Sequence, residues 1–315
     1  MEKRTMKKIL AVIMLLAASG ICACAATPKA TSTVDRSEQG DQELKRGMYW
    51  YHRGCSRKAL DHFQVAYEYF SLHDQPQGVA RSLIGLAHLH RLADNRENAI
   101  LFYDAALTAA RRCGDQTVTA RALSGKAALL IDADDLSGAE ALLDEAQLIS
   151  TKNGSVSATL LNHRAVLEMK EGHYDEALAL LDQADSNAVE ADSPAAATIR
   201  FTRARVLMRT GHDQQAMALF QQALELDRGA GFSQGVAADL LAIADIYERS
   251  GQNENALDCL ERSLKIYALM GNRKIVLDHL ERLESLAEQV GSDTRVTVHY
   301  INQWLAGEAV DVVCR

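Results

Sequence analysis

Gly172-His-Tyr-Asp-Glu-Ala-Leu178 stops one helix and starts another: a glycine, four polar or amphipathic positions, then Ala177 opening an apolar face. The phrase has five counterparts: Gly54-Cys-Ser-Arg-Lys-Ala-Leu60, Asp94-Asn-Arg-Glu-Asn-Ala-Ile100, Asp134-Asp-Leu-Ser-Gly-Ala-Glu140, Gly211-His-Asp-Gln-Gln-Ala-Met217 and Gly251-Gln-Asn-Glu-Asn-Ala-Leu257. Their starts lie 40, 40, 38, 39 and 40 residues apart. A fixed period of this size marks a stacked repeat, in which each unit needs its neighbour to cover its apolar face.

The alanine of each phrase (Ala59, Ala99, Ala139, Ala177, Ala216, Ala256) keeps register with three other positions. Twelve residues earlier stand Gly47, Ala87, Ala127, Ala165, Ala204 and Ala244, all small. Four residues later stand Phe63, Tyr103, Leu143, Leu181, Phe220 and Leu260, all large. Seven residues later stand Ala66, Ala106, Ala146, Ala184, Ala223 and Ser263, small again. The anchor and the two positions after it share one helical face. Each unit therefore reads as two antiparallel helices, whose small residues let backbones approach while the large one fills the space between units.

Those residues carry a resemblance to the tetratricopeptide repeat (TPR) family over roughly residues 40–270, with Gly172–Leu178 the nearest to the family's central motif. The family repeat is about 34 residues; this one is longer. Glu168 and His90 depart from the pattern, standing where Leu130, Leu207 and Tyr247 occur in other units. The resemblance implies an all-α, right-handed superhelical TPR solenoid of six helix-turn-helix units, with first helices lining a concave groove and second helices facing outward. It also implies a scaffold or adaptor that binds a protein or peptide partner in that groove.

Composition agrees with helices: 315 residues hold only three prolines and 5% aromatics. A formal charge of -8 includes a basic leader, so the body is more acidic still, which disfavours general nucleic-acid binding. Arg273 to Val290 reads as a further amphipathic helix capping the stack. Residues 292–306 fit either a closing helix or, at Val296-Thr-Val298, a strand; the helix is the expectation.

Lys7 and Lys8 precede an apolar run from Ile9 to Ala18, a secretory leader too short for the roughly 20 residues of a spanning helix. Ile21-Cys-Ala-Cys24 resembles the lipobox of bacterial lipoproteins, which makes Cys24 the expected lipidated residue. Ala25 in the next position favours the outer membrane, facing the periplasm, by the same resemblance. The competing reading is an ordinary cleaved leader ending near Ala26, releasing a soluble periplasmic adaptor or sensor. Residues 25–39 are small and polar and read as a tether. The expected organisation is thus a leader at 1–23, a tether at 24–39, six units at 40–272 and capping helices at 273–315.

Four cysteines remain in the body: Cys55, Cys113, Cys259 and Cys314. Free buried thiols are the favoured reading, with a Cys259–Cys314 bond left open and no C-x-x-C to suggest redox chemistry or zinc. Gly229-Ala-Gly231-Phe-Ser-Gln-Gly235 lacks phosphate-loop spacing and reads as the turn between units five and six. No nucleophile, metal or cofactor motif is present, so neither catalytic residues, a metal site nor a cofactor is expected.

The first helices of units two to five are rich in Arg and Lys, whereas the second helices of units three and four are crowded with acids. Helical spacing selects a groove stripe from each first helix. It comprises Arg81, His88 and Arg91 in unit two, Arg121 in unit three, and Asn162 with His163 in unit four. Phe201, Arg205, Met208 and Arg209 complete it in unit five. Arginines suit carboxylates and the apolar members suit anchors. The alternative is that these arginines pair with acids on adjacent units.

Overall fold

Helices of one length joined by turns of one kind produce the 40-residue period. The computed structural model describes residues 36–154, 156–188, 194–307 and Cys314, which it builds as helices with no strand among them. Unit one pairs α1 (Arg36–His52) with α2 (Ser56–Leu72), and unit two pairs α3 (Pro76–Leu92) with α4 (Arg96–Arg112). Unit three has α5 (Gln116–Asp132) and α6 (Leu136–Lys152), and unit four α7 (Ala158–Glu171) and α8 (Tyr174–Asn187). Unit five has α9 (Pro194–Arg209) and α10 (Asp213–Ala230), and unit six α11 (Ser233–Arg249) and α12 (Asn253–Leu269). Helices α13 (Arg273–Val290) and α14 (Arg295–Leu305) follow. The 292–306 segment therefore forms a helix, at Arg295–Leu305, with Thr297 and Ile301 turned inward. The first helix begins at Arg36 rather than at 40, which gives it the 17 residues of most of its counterparts. The leader, Cys24 and residues 25–35 lie outside the described residues.

The turns explain the glycines. Gly172 takes φ +88° after α7, and the next amide, His173 N–H, donates to Glu168 C=O at 2.9 Å, closing the helix in a Schellman arrangement. Asp134 fills the equivalent place in unit three at φ +62°, a conformation that Asp tolerates better than most side chains. Helix starts are capped by Asn95, Asp115, Asp135, Ser157 and Asn272, whose side chains accept an amide three residues on.

All four registered positions are buried in all six units. Phe63 shows why small residues are required: a Cβ on Gly47 would lie 2.5 Å from its ring, and one on Gly85 of the next unit 2.7 Å. The large residue thus wedges between the first helix of its own unit and that of the next. Burying such a ring is worth about 2–3 kcal/mol.

A second register ties the units by charge. Lys126 meets Asp104 at 2.6 Å, Arg164 meets Asp144 at 2.7 Å, and Arg203 meets Asp182 and Asp185 at 2.8 Å. Each cation immediately precedes the small residue of a first helix, and each first acid lies five after the anchor of the preceding unit. The basic charge of the first helices is therefore partly spent on unit-to-unit pairing, as the alternative reading of the arginines anticipated.

The superhelix closes on itself. Cys55, in the turn of unit one, is disulfide-bonded to Cys314. This corrects the expectation of free thiols or of a Cys259–Cys314 bond: Cys259 is buried on α12 and Cys113 is free and exposed. Around the closure, Gly54 sits against Met270 and Ser233, and Arg53 against Gly231. The His52 ring meets Phe232 at 5.3 Å, and Tyr51 Oη donates to Gln234 Oε1 at 3.5 Å. Unit one thus meets the turns flanking unit six.

Candidate functional site

Closure turns the concave side of the stack into a lined chamber. Among the cavities along it, one of about 280 Å³ and one of about 500 Å³ adjoin, and Asn162, His163, Thr198 and Phe232 belong to the walls of both. Together they have the size and mixed polarity of a ligand site. First helices supply most of the wall: α5, α7, α9 and α11 contribute side chains, with Gln234 and Gly235 in the first turn of α11, while the α10–α11 turn adds Phe232.

The smaller cavity is electrically structured. Arg91 Nε donates to Asp132 Oδ2 at 2.7 Å; burial pulls the Arg91 pKa down, but Asp132, with Tyr103 and Tyr51, more than offsets this and keeps the guanidinium charged. Arg205 lies over the Phe201 ring, 5.8 Å from the ring centre, and makes no ion pair among the described residues; burial and then Arg209 push its pKa down. Phe201 itself is braced edge-on by Phe220 at 5.4 Å. Asn162 is 4% exposed, and its Oδ1 has no hydrogen-bond partner.

The larger cavity is lined by His88, Arg121, Ser124 and His163. His88 Nδ1 is 3.0 Å from Tyr103 Oη, and His163 Nδ1 is 2.7 Å from Ser124 Oγ. Burial, then the charges of Arg91 and Arg121, push the His88 pKa down to about 3; burial, then Arg91, push that of His163 down to about 4. Both rings are neutral at pH 7. Arg121 is reached by solvent and makes no ion pair among the described residues, although burial and then Arg81 push its pKa down.

Of the stripe read from sequence, the chamber gathers His88, Arg91, Arg121, Asn162, His163, Phe201 and Arg205. It leaves out three. Arg81 is engaged by Asp41 at 2.7 Å, the Met208 carbonyl is approached by Arg249 while its side chain packs on the core, and Arg209 is exposed beyond the wall. Sequence reasoning missed Tyr51, Gln234, Asp227 and Asp239. Tyr51 and Gln234 arrive only through ring closure. Asp239 carried a readable signal, since it interrupts the apolar run Val236-Ala-Ala-Asp-Leu-Leu241, whereas Asp227 stands between Glu225 and Arg228 and reads as an ordinary charged position. Of the Gly229–Gly235 segment only Gly231 and Phe232 form the turn, since α10 runs to Ala230 and α11 starts at Ser233, and the segment also supplies wall residues.

In the trio Glu168, Glu171 and His173 the ligand atoms lie close together, but the cluster sits at the α7–α8 turn, away from the chamber wall. No described helix is long and apolar enough to cross a membrane.

Hairpins in matched couples, curved into a ring around an inner wall, define a helical-repeat interaction scaffold. Residues 156–229 match one tetratricopeptide repeat family model, and residues 82–117 and 240–291 match another, together about half of the chain. The chain is a tetratricopeptide-repeat protein. Among solved structures it is similar to the Rap conjugation gene regulator of the plasmid pLS20 in complex with the Phr* peptide. That match has 16% identity and a TM-score of 0.62, covering 91% of this chain and 80% of that one. It is also similar to a Rap protein complexed with Competence and Sporulation Factor, with 14% identity and a TM-score of 0.56, covering 81% and 76%. At these identities the likeness is one of fold. No curated protein sequence matches the chain.

Proposed function

We propose that the protein is a scaffold of the bacterial cell envelope that binds an extended peptide, or an extended segment of a protein partner, inside its ring. What carries the reading is Asn162. A buried amide oxygen without a partner costs about 1–3 kcal/mol, and native proteins seldom retain one without use. An amide offers an acceptor and two donors, the complement of a peptide backbone. Phe201 and Phe232 line the same chamber as apolar surface, and Arg205 and Arg121 line it as cations without an ion-pair partner among the described residues. The two Rap structures hold a named factor or peptide, which supports the same use of this fold here.

Lipid attachment at Cys24 would anchor the ring at the outer membrane, facing the periplasm, with residues 25–39 as tether. The Cys55–Cys314 bond supports an oxidising compartment, where such bonds persist. Labelling cells with a fatty-acid analogue tests the anchor: Cys24→Ser should abolish labelling and release the protein to the soluble fraction. Labelling of neither form would favour the soluble periplasmic adaptor.

The chamber is tested by placing a photo-crosslinking residue at Phe201 and mapping the crosslinked partner segment. Asn162→Ala should reduce binding of that segment by about five- to 150-fold, the equivalent of 1–3 kcal/mol, without lowering the melting temperature. A partner that crosslinks only from the outward second helices would overturn the assignment.

A further inference from the structure

Four side-chain atoms of the described residues are buried without a hydrogen-bond partner: Asn162 Oδ1, Asp227 Oδ1, and both carboxylate oxygens of Asp239. All four are oxygens, and all belong to residues lining the same 280 Å³ cavity. The two acids come from adjacent helices, Asp227 near the end of α10 and Asp239 within α11. They are 4% and 0% exposed, and neither is in an ion pair among the described residues. The chain makes room for them: a Cβ on Gly235 would run into the Asp227 carboxylate at 1.7 Å. Any other residue at 235 would displace the acid.

Buried carboxylates are expected to be paired. Here the surroundings offer them no cation. Arg228, next in sequence to Asp227, is exposed and makes no ion pair, though its field reaches Asp239. Tyr267 on α12 lies within the electrostatic reach of Asp239. Arg91 is committed to Asp132, and Arg205 and neutral His163 lie elsewhere on the wall. With a proton on Asp239 the two carboxyls of the empty site hydrogen-bond to each other, Asp239 donating to Asp227, and the remaining carboxylate oxygens and the Asn162 oxygen call for a group that only donates. An ammonium has three donors and no acceptor, and a guanidinium five. A metal ion fits less well, because no third His, Cys, Asp or Glu ligand atom gathers with the pair.

We propose that Asp227 and Asp239, with the Asn162 oxygen, form a subsite for a cationic group of the bound peptide, its terminal ammonium or a Lys or Arg side chain. The inference rests on the peptide-binding reading of the chamber and gives the ligand its charge. Burial raises the pKa of both acids, and for Asp239 the neighbouring Asp227 raises it further, so the empty site holds proton that the entering cation displaces to solvent. Binding of a basic peptide should therefore release proton and tighten as pH rises above the ordinary carboxylate range.

The test uses the full chain and a library of extended hexapeptides in matched sets, with Lys or norleucine at one position and a free or acetylated amino terminus. Fluorescence polarisation should give at least tenfold tighter binding for the best charged member than for its neutral counterpart. That preference should vanish in Asp239→Asn and Asp227→Asn, whose folding is checked by thermal melting. Equal binding of charged and neutral peptides by the wild type, or an undiminished preference in both variants, overturns the subsite while leaving the chamber reading intact. Binding of no peptide at all, charged or neutral, overturns both. Stabilisation by calcium or magnesium alone, lost in Asp239→Asn, would replace the organic cation with a metal ion and overturn the proposal.

Discussion

Cys55 and Cys314, separated by 259 positions in the chain, are joined by a disulfide with their Cα atoms 5.7 Å apart. The bond fastens the first hairpin turn to the end of the chain, and so holds shut the ring whose interior is the chamber. Of the four body cysteines, Cys113 should react with a maleimide in the native protein and Cys259 only on unfolding. Cys55 and Cys314 should react only after reduction. Closing so long a loop is worth roughly 2–5 kcal/mol, so Cys55→Ser should melt several degrees lower and become protease-sensitive near unit one. Mass spectrometry finding all four thiols free without reductant would disprove the pairing.

Tyr103 and Gly125 test the wedge between units. A Cβ on Gly125 would lie 2.6 Å from the Tyr103 ring, so Gly125→Ala should destabilise by about 1–3 kcal/mol in urea melts. Leucine occupies the equivalent place in units three and four, so Tyr103→Leu should recover part of that loss in the double variant. Additive losses would mean that the two residues do not meet.

Acid should loosen the chamber before it unfolds exposed parts of the stack. His88 and His163 have folded pKa values pushed down to about 3 and about 4, against an ordinary 6.5. Below pH 6.5 the unfolded chain takes up protons that the folded chain refuses. Their stabilising contribution is therefore present above that pH and is lost as pH falls toward 4 and then 3. His163→Gln should flatten the melting-temperature profile between pH 6.5 and 4; an unchanged slope would place the acid sensitivity elsewhere.

The acid pair should act in the opposite sense. Both carboxyls have raised pKa values, so the stability tied to them is complete below about pH 3.9 and declines as pH rises through their folded values. Asp239 has its pKa raised to about 9, so folding at pH 8 must load it with a proton; Asp239→Asn removes that cost and should melt higher than wild type at pH 8, with the difference shrinking toward pH 5. A lower melting temperature at pH 8 would mean that the empty protein relies on the carboxyl.

Arg164→Met should cost at most about 1 kcal/mol in urea, because its pair with the exposed Asp144 is largely solvated. A greater loss would make the charge register between units a structural necessity.

The sequence by itself determined the hairpins. Ala177, Leu181 and Ala184 sit at spacings that only a helix brings onto one face, and Gly172 marks the reversal; these are local constraints, written in residue size and backbone freedom. The contents of the wall were partly legible for the same reason, since Asn162, Phe201 and Arg205 follow from helical spacing within single units. Tertiary structure alone decided the rest. The small rotation from unit to unit accumulates over six units until Tyr51 meets Gln234 and Cys55 meets Cys314, and a periodic pattern does not encode that angle. The same accumulation chose which arginines are absorbed by neighbouring acids, as Arg81 is by Asp41, and which, like Arg205, are left facing the chamber.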